Sequence, residues 1–323
     1  MKKFLAFNGS MVLVLLTAFF LFSPSAGLFP QNSALAEPVS KDPRSILSYP
    51  VESWRNSRYE VYRWDIFPEI LIFDTLNYDI QDRLLKRLAF FVEKAGFRGR
   101  LAPDDEIAEL HGWNAHDYRA EDLAAFFEAA RESNFPLLQE ERELQAILLS
   151  AGVIRRNSHM QIIPGRGAII SISRESDKTD RALRPRFMTH EGFHGIYFID
   201  GDFRNFARQR WNAFPSFAKR FLISFFDFQA YDTGDNELVI NEFMAHVLQQ
   251  PVSQIGWYFG EYQAGRMISV SPWRRTSLPE KEEISADGRP FWPEIAEIFT
   301  AEAEAFSRYV NQRWGFAAGR VWQ

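Results

Sequence analysis

Two histidines four positions apart, His190 and His194, with Glu191 directly after the first, set the tightest constraint on how this chain folds. If the two imidazoles are to act together, the stretch Thr189-His190-Glu191-Gly192-Phe193-His194 has to be helical, because a helix brings residues four apart onto one face about one turn from each other. On that face the pair can share a single metal ion. Glu191 lies beside the face rather than on it, so it is free to hold and deprotonate a water bound there. A helix is expected from about Pro185 to Phe198, with Phe187, Met188, Ile196 and Tyr197 supplying apolar contacts. The plainer reading of the same residues is two ordinary helix histidines with Glu191 on the solvated side, and a third ligand is what separates the two.

The chain contains no cysteine, so any further ligand must be His, Asp or Glu. Position offers two candidates. Glu242 lies in a helix-like run from Glu237 to Gln249 that stops at Pro251. Asp200, the runner-up, follows His194 by six residues, the offset of the third ligand in metzincins. That route needs a sharp turn after the second histidine, which glycine provides, and the chain has Tyr197 there. Asp200-Gly201-Asp202 also suits an ordinary turn.

His190-Glu191-x-x-His194 together with Asn241-Glu242 resembles the gluzincin superfamily of zinc metallopeptidases, over roughly residues 160 to 250. The resemblance implies that His190, His194 and Glu242 hold Zn2+ and that Glu191 is the general base for a zinc-activated water. The substrate would then be a peptide or protein, with cell-wall peptide among the candidates. A donor for the developing oxyanion is expected too. His246, one turn beyond Glu242 on the same helix face, is one candidate; Tyr258 and Tyr262, in a glycine-flanked segment, are the others. The spacing of 48 positions from His194 to Glu242 is longer than in compact gluzincins.

The beginning of the chain bears on where such an enzyme works. Met1-Lys2-Lys3 is a basic cap, Met11 to Phe22 is apolar apart from Thr17, and Ala34-Leu35-Ala36 fits a cleavage site, so residues 1–36 read as a secretory signal peptide. The apolar core of about a dozen residues is short for a membrane span, which needs roughly 20, so no stable span is expected after cleavage. Cleavage removes Lys2 and Lys3 and no acid. The balance of 37 bases to 42 acids then becomes 35 to 42, and the net charge goes from −5 to −7, which argues against a nucleic-acid partner. Without cysteine there is neither a disulfide nor a lipid-modified N-terminal cysteine. A periplasmic or secreted bacterial product is expected, not a lipoprotein, large enough to bury its own core.

Residues 37–57 read as a linker or N-terminal arm. Strands are expected at Arg58 to Trp64 and Glu69 to Phe73, and helices at Asp79 to Ala95, Ala120 to Glu132 and Leu137 to Ser150. Leu110 to Tyr118 reads as a loop leading into a helix with Asp117 as its N-cap. Gln161-Ile162-Ile163 and Ala168 to Ile172, separated by Pro164-Gly165-Arg166-Gly167, predict a β-hairpin whose edge could pair with an extended peptide. The phenylalanine-rich segments from Phe203 to Trp211 and Phe214 to Ala230 read as core, and Pro293 to Trp314 as an amphipathic helix.

The expected fold is α+β and mostly helical. A strand-containing N-terminal α+β region, 58–155, precedes a zincin-like catalytic half, 156–323. The expected function is an exported zinc metallopeptidase. The alternative is an inactive zinc-binding or peptide- or cell-wall-binding envelope protein using the same cleft, and an intact Glu191 favours the first, since a binding protein has no need of a base beside the ion.

Overall fold

The structure is a computed structural model that describes residues 37–94, 96–175 and 183–323. The signal-peptide reading of 1–36 and most of the charged connector between Arg174 and Arg184 lie outside the described residues. In chain order the main strands are β1 (Val39–Lys41), β2 (Tyr59–Trp64), β3 (Ile70–Thr75), β4 (His116–Arg119), β5 (Ile154–Arg156), β6 (Ile162–Pro164) and β7 (Ala168–Ser173). The helices are α1 (Pro43–Ser48), α2 (Tyr78–Val92), α3 (Asp104–Ile107), α4 (Ala120–Glu132), α5 (Gln139–Ala151), α6 (Leu183–Ile199), α7 (Gly201–Ala213), α8 (Ser216–Phe228), α9 (Asn236–Leu248), α10 (Val252–Trp257), α11 (Ala264–Val270) and α12 (Pro293–Trp314). The fold is α+β and mostly helical.

A mixed sheet in the order β1-β2-β3-β7-β4 divides the core into two. Strand residues alternate between faces, and here both faces are apolar. Ile70, Ile72, Ile170 and Ile172 point to one side, where they meet Met188, Phe193 and Ile196 of α6 and the aromatics of α7, α8, α9 and α12. Leu71, Phe73 and Ile169 point to the other and pack on α2, α4 and α5. The phenylalanine-rich segments are core, as expected. The sheet draws strands from both sides of the expected boundary at 155/156, and the segment read as a linker supplies β1, which pairs in parallel with β2.

Two expectations need correction. Ile162–Pro164 and Ala168–Ser173 do not form a hairpin with each other: β6 pairs with β5, while β7 lies between β3 and β4. The three residues between them carry the chain from one sheet to the other. Gly167 adopts φ +117° and passes so close to the Glu69 backbone that a Cβ would collide with its carbonyl. Asp117 is not a helix cap either. It belongs to β4, the edge strand, opposite Ile170, so its side chain shares the face on which α6 lies.

Helix α6 is placed by two contacts. Gly195 faces Ile70 and Ile170, and a Cβ there would meet their side chains at 3.1–3.4 Å, so the missing side chain lets the helix settle onto the sheet. At its start, Arg184 donates from Nη1 and Nη2 to the two oxygens of Asp74 on β3, at 2.9 and 2.8 Å, and Arg174 donates to the same carboxylate at 2.8 Å. An arginine in a first helical turn opposes the helix dipole, so the carboxylate offsets a local cost as well as fixing the helix. Asp74 and Arg184 are both buried. Asp74→Ala should lower unfolding stability by about 3–5 kcal/mol, because it leaves guanidinium charge buried without its anion; denaturant unfolding of the purified protein checks this.

Candidate metal centre

Helices α6 and α9 pack against each other with their polar residues facing inward. α9 starts at Asp235, whose carboxylate accepts from the Glu237 and Leu238 amides at 3.0 and 3.2 Å, and it stays buried from Val239 to Leu248. That length carries Glu242 to the histidines of α6. His190 Nε2 and His194 Nε2 are 3.0 Å apart, and Glu242 lies 3.6 Å from the first through Oε2 and 3.7 Å from the second through Oε1. For metal–ligand bonds of about 2.0–2.2 Å a tetrahedral arrangement has ligand atoms about 3.3–3.6 Å apart, so this set of two nitrogens and an oxygen fits a small divalent ion. Glu242 Oε2 has no hydrogen-bond partner, and leaving such an acceptor buried is costly without a ligand.

The electrostatics suit ligation. Burial lowers the pKa of both His190 and His194 to about 4, against the opposing pull of Gln249 on the first and of Glu242 on the second. The imidazoles are therefore neutral at pH 7, the form that offers a lone pair. The Glu242 carboxyl is pushed up by burial and drawn back by His194 and the Tyr231 phenol. Glu191, also buried, is held well above the usual carboxylate range, first by burial and then by Asp117 and Glu242.

Asp117 closes the other side. Its Oδ2 lies 3.7 Å from His194 Nδ1, and Asp117, Glu191 and His194 bring ligand-type atoms within 4.8 Å of one another. His194 thus faces Glu242 with one nitrogen and a carboxylate with the other. No hydrogen bond reaches Nδ1 at this distance, and Asp117 is the carboxylate that stands beside it.

Protein-family models, curated proteins and solved structures gave no match to this chain. The site is therefore read from its own geometry. Asp200 lies apart from it: its carboxylate caps α7, accepting from the Phe203 amide at 2.8 Å, and pairs with Arg313 at 2.9 Å. Helix α6 runs on to Ile199 and ends by handing the chain directly to α7.

The three candidate donors stand at different distances from the chemistry. His246 Nε2 is 3.6 Å from Glu242 Oε2, and its ring lies 4.8 Å from that of His190. Gln249 Nε2 donates to His246 Nδ1 at 2.9 Å, which leaves the imidazole proton on Nε2, pointing toward Glu242. The same amide donates to the Tyr258 hydroxyl at 3.0 Å, so Tyr258 supports His246 from behind. Tyr262 is 43% exposed and stacked on Trp257 at 5.4 Å, at the surface.

A cleft of about 450 Å³ runs along the outer side of β4 and ends at Asp117, Asn241 and Glu242. Glu93, the C-cap of α2, stands in its wall. Burial raises the Glu93 carboxyl to about 8, with Glu242 adding to the effect. Sequence patterning missed Glu93, Asp117 and Tyr231. Only Asp117 left a usable signal, the alternation of His116 and Tyr118 with Asp117 and Arg119. Titration of the metal-free protein with a divalent transition-metal ion should show about one tight site per chain. Glu242→Ala should abolish it and Asp200→Ala should leave it unchanged, read by calorimetry.

Proposed function

We propose that this chain is a zinc-dependent metallopeptidase of gluzincin type, working as an exported protein. The observation that carries the reading is the convergence of His190, His194 and Glu242 from two helices, with Glu191 buried beside them. These three residues would hold the ion. Zinc, when bound, supplies a Lewis acid and brings the pKa of a water it holds to about 7.

The protein's own groups do the rest. The Glu191 carboxylate takes a proton from the attacking water and later delivers it to the leaving amine. An unionised Glu191 cannot serve as base, so the negative charge of Asp117 and Glu242 has to be offset before the site is active. Asp117, facing His194 Nδ1, would orient that ring once the ion is held. His246 directs its Nε2 proton toward the side on which negative charge develops, and Gln249 and Tyr258 keep it there.

Substrate positioning falls to β4. It is an edge strand, paired on one side with β7, and its outer side borders the cleft, so an extended peptide can add to it through backbone hydrogen bonds. Such pairing is indifferent to side chains, which suits a protein or peptide substrate. No helix among the described residues is long and apolar enough to cross a membrane.

Glu191→Gln keeps the shape of the side chain and removes the base. It should lower peptide hydrolysis by about 10²-fold or more while about one zinc per chain is retained, measured by cleavage of a peptide library and by elemental analysis of the same sample. Undiminished cleavage in that variant would sink the mechanism, and zinc without any cleavage in the parent would favour a binding protein.

A further inference from the structure

The cleft that ends at Glu242 has four arginines in its walls, and each is occupied. Arg98 pairs with Asp232 and Asp235, Arg119 with Asp122, and Arg208 with Glu237, while Arg204 donates to the carbonyls of Tyr197 and Phe198. These pairs sit along the walls. At the inner end, beside Glu242, stand two acids that form no ion pair with an arginine among the described residues, Asp117 and Glu93. They are close enough to repel each other. Glu93 is 92% buried, and its Oε1 has no hydrogen-bond partner. The Tyr118 phenol donates to this carboxyl and the Lys94 charge acts on it, so Oε1 is the acceptor left over, and on the wall of a cleft it calls for a donor brought by the ligand.

Three kinds of donor are conceivable, and the geometry separates them. A second metal ion would have to use the group formed by Asp117, Glu191 and His194, but that histidine already turns its other nitrogen to the Glu242 side. A neutral imidazole has one lone pair for a metal and carries a proton on the second nitrogen. A guanidinium presents its donors in a flat fork that wants a single coplanar acceptor pair, whereas Glu93 and Asp117 come from the end of a helix and the middle of a strand. An ammonium group carries three donors on one compact atom and can satisfy acceptors converging from different elements. The end of α2 adds the partial negative charge of a helix C-terminus to the same spot.

We propose that the inner end of the cleft, between Glu93 and Asp117, binds a primary ammonium group of the substrate, so that the peptides held here carry an amine close to the bond presented to His190, His194 and Glu242. The proposal rests on reading this cleft as the substrate cleft of the peptidase, and it narrows the substrate class to amine-bearing peptides. The amine is either a free amino terminus or a lysine-like side chain. Both present the same chemistry to Glu93.

The test uses the mature protein carrying Glu191→Gln, loaded with zinc, so that binding is read without turnover. Three peptides of one sequence are titrated by calorimetry: one with a free amino terminus and a lysine, one N-acetylated, and one with norleucine in place of lysine. Loss of the recognised amine should weaken binding about 10- to 100-fold, the range of a charge-assisted hydrogen bond, and the peptide that weakens identifies which amine is bound. Adding Glu93→Gln should bring that ratio close to one. Equal affinities across the three peptides overturn the inference, as does a ratio that survives Glu93→Gln. The peptide series decides by itself if the double variant does not fold. Cleavage of the library by the parent protein, indifferent to amines, would overturn this inference and leave the peptidase reading standing; selective binding without any cleavage would do the reverse.

Discussion

The Asp74 carboxylate holds the start of α6 against the sheet, and the position of everything chemical follows from it. A helix that rests on a sheet through apolar contacts alone can slide or turn by a fraction of a residue at little cost, because such contacts are non-directional. Two arginines bonded to one buried carboxylate remove that freedom. Gly195 then sets the depth, letting α6 approach until Ile70 and Ile170 stop it. With height and register fixed, the turn of helix that carries His190 and His194 faces α9, and Glu191 faces β4.

The site is unusual in how much ionisable chemistry it keeps away from water. Glu93, Asp117, Glu191 and Glu242 all have carboxyls raised by burial as the leading cause, while His190, His194 and His246 are lowered by it. Seven groups displaced toward neutrality in one region are a poor way to stabilise a fold, since an apolar filling of the same volume would cost less. Such an arrangement fits a site that takes up positive charge. Positive charge entering the region, a metal ion or a substrate amine on the proposed reading, would let the acids ionise and use acceptors that are otherwise idle.

Much of this was legible in the chain. Helices at Ala120–Glu132 and Pro293–Trp314 follow from apolar periodicity, and the helix before Gly152 from a glycine that takes the left-handed conformation. The strands β2 and β3 follow from dense β-branched and aromatic residues. β4 escaped because it is four residues long, carries two charges, and owes its strand conformation to β7, about fifty positions away. The hairpin failed for a related reason. Pro164-Gly165-Arg166-Gly167 is turn-like in composition, but β3 and β4 pair with β7 on both sides, which buries more than a hairpin could. Within the site, His190 and His194 were readable because helical spacing is a local rule, and Glu242 because Asn241-Glu242 in a second helix resembles the gluzincin pattern. Glu93 and Tyr231 reach the same place by long-range packing, which leaves no periodic trace, and Asp117 left only the alternation of a four-residue strand.

The two histidines are neighbours on one turn of helix, whereas Glu242 reaches them only after α7 and α8 have folded back and α9 has docked. Of these three residues an unfolded chain keeps only the two histidines close together, and even these are aligned only once α6 forms. The complete ligand set exists at the end of folding and not before. On the proposed reading, metal uptake would be a late event that reports a finished fold, and a chain arrested part-way would be unable to retain an ion at this site.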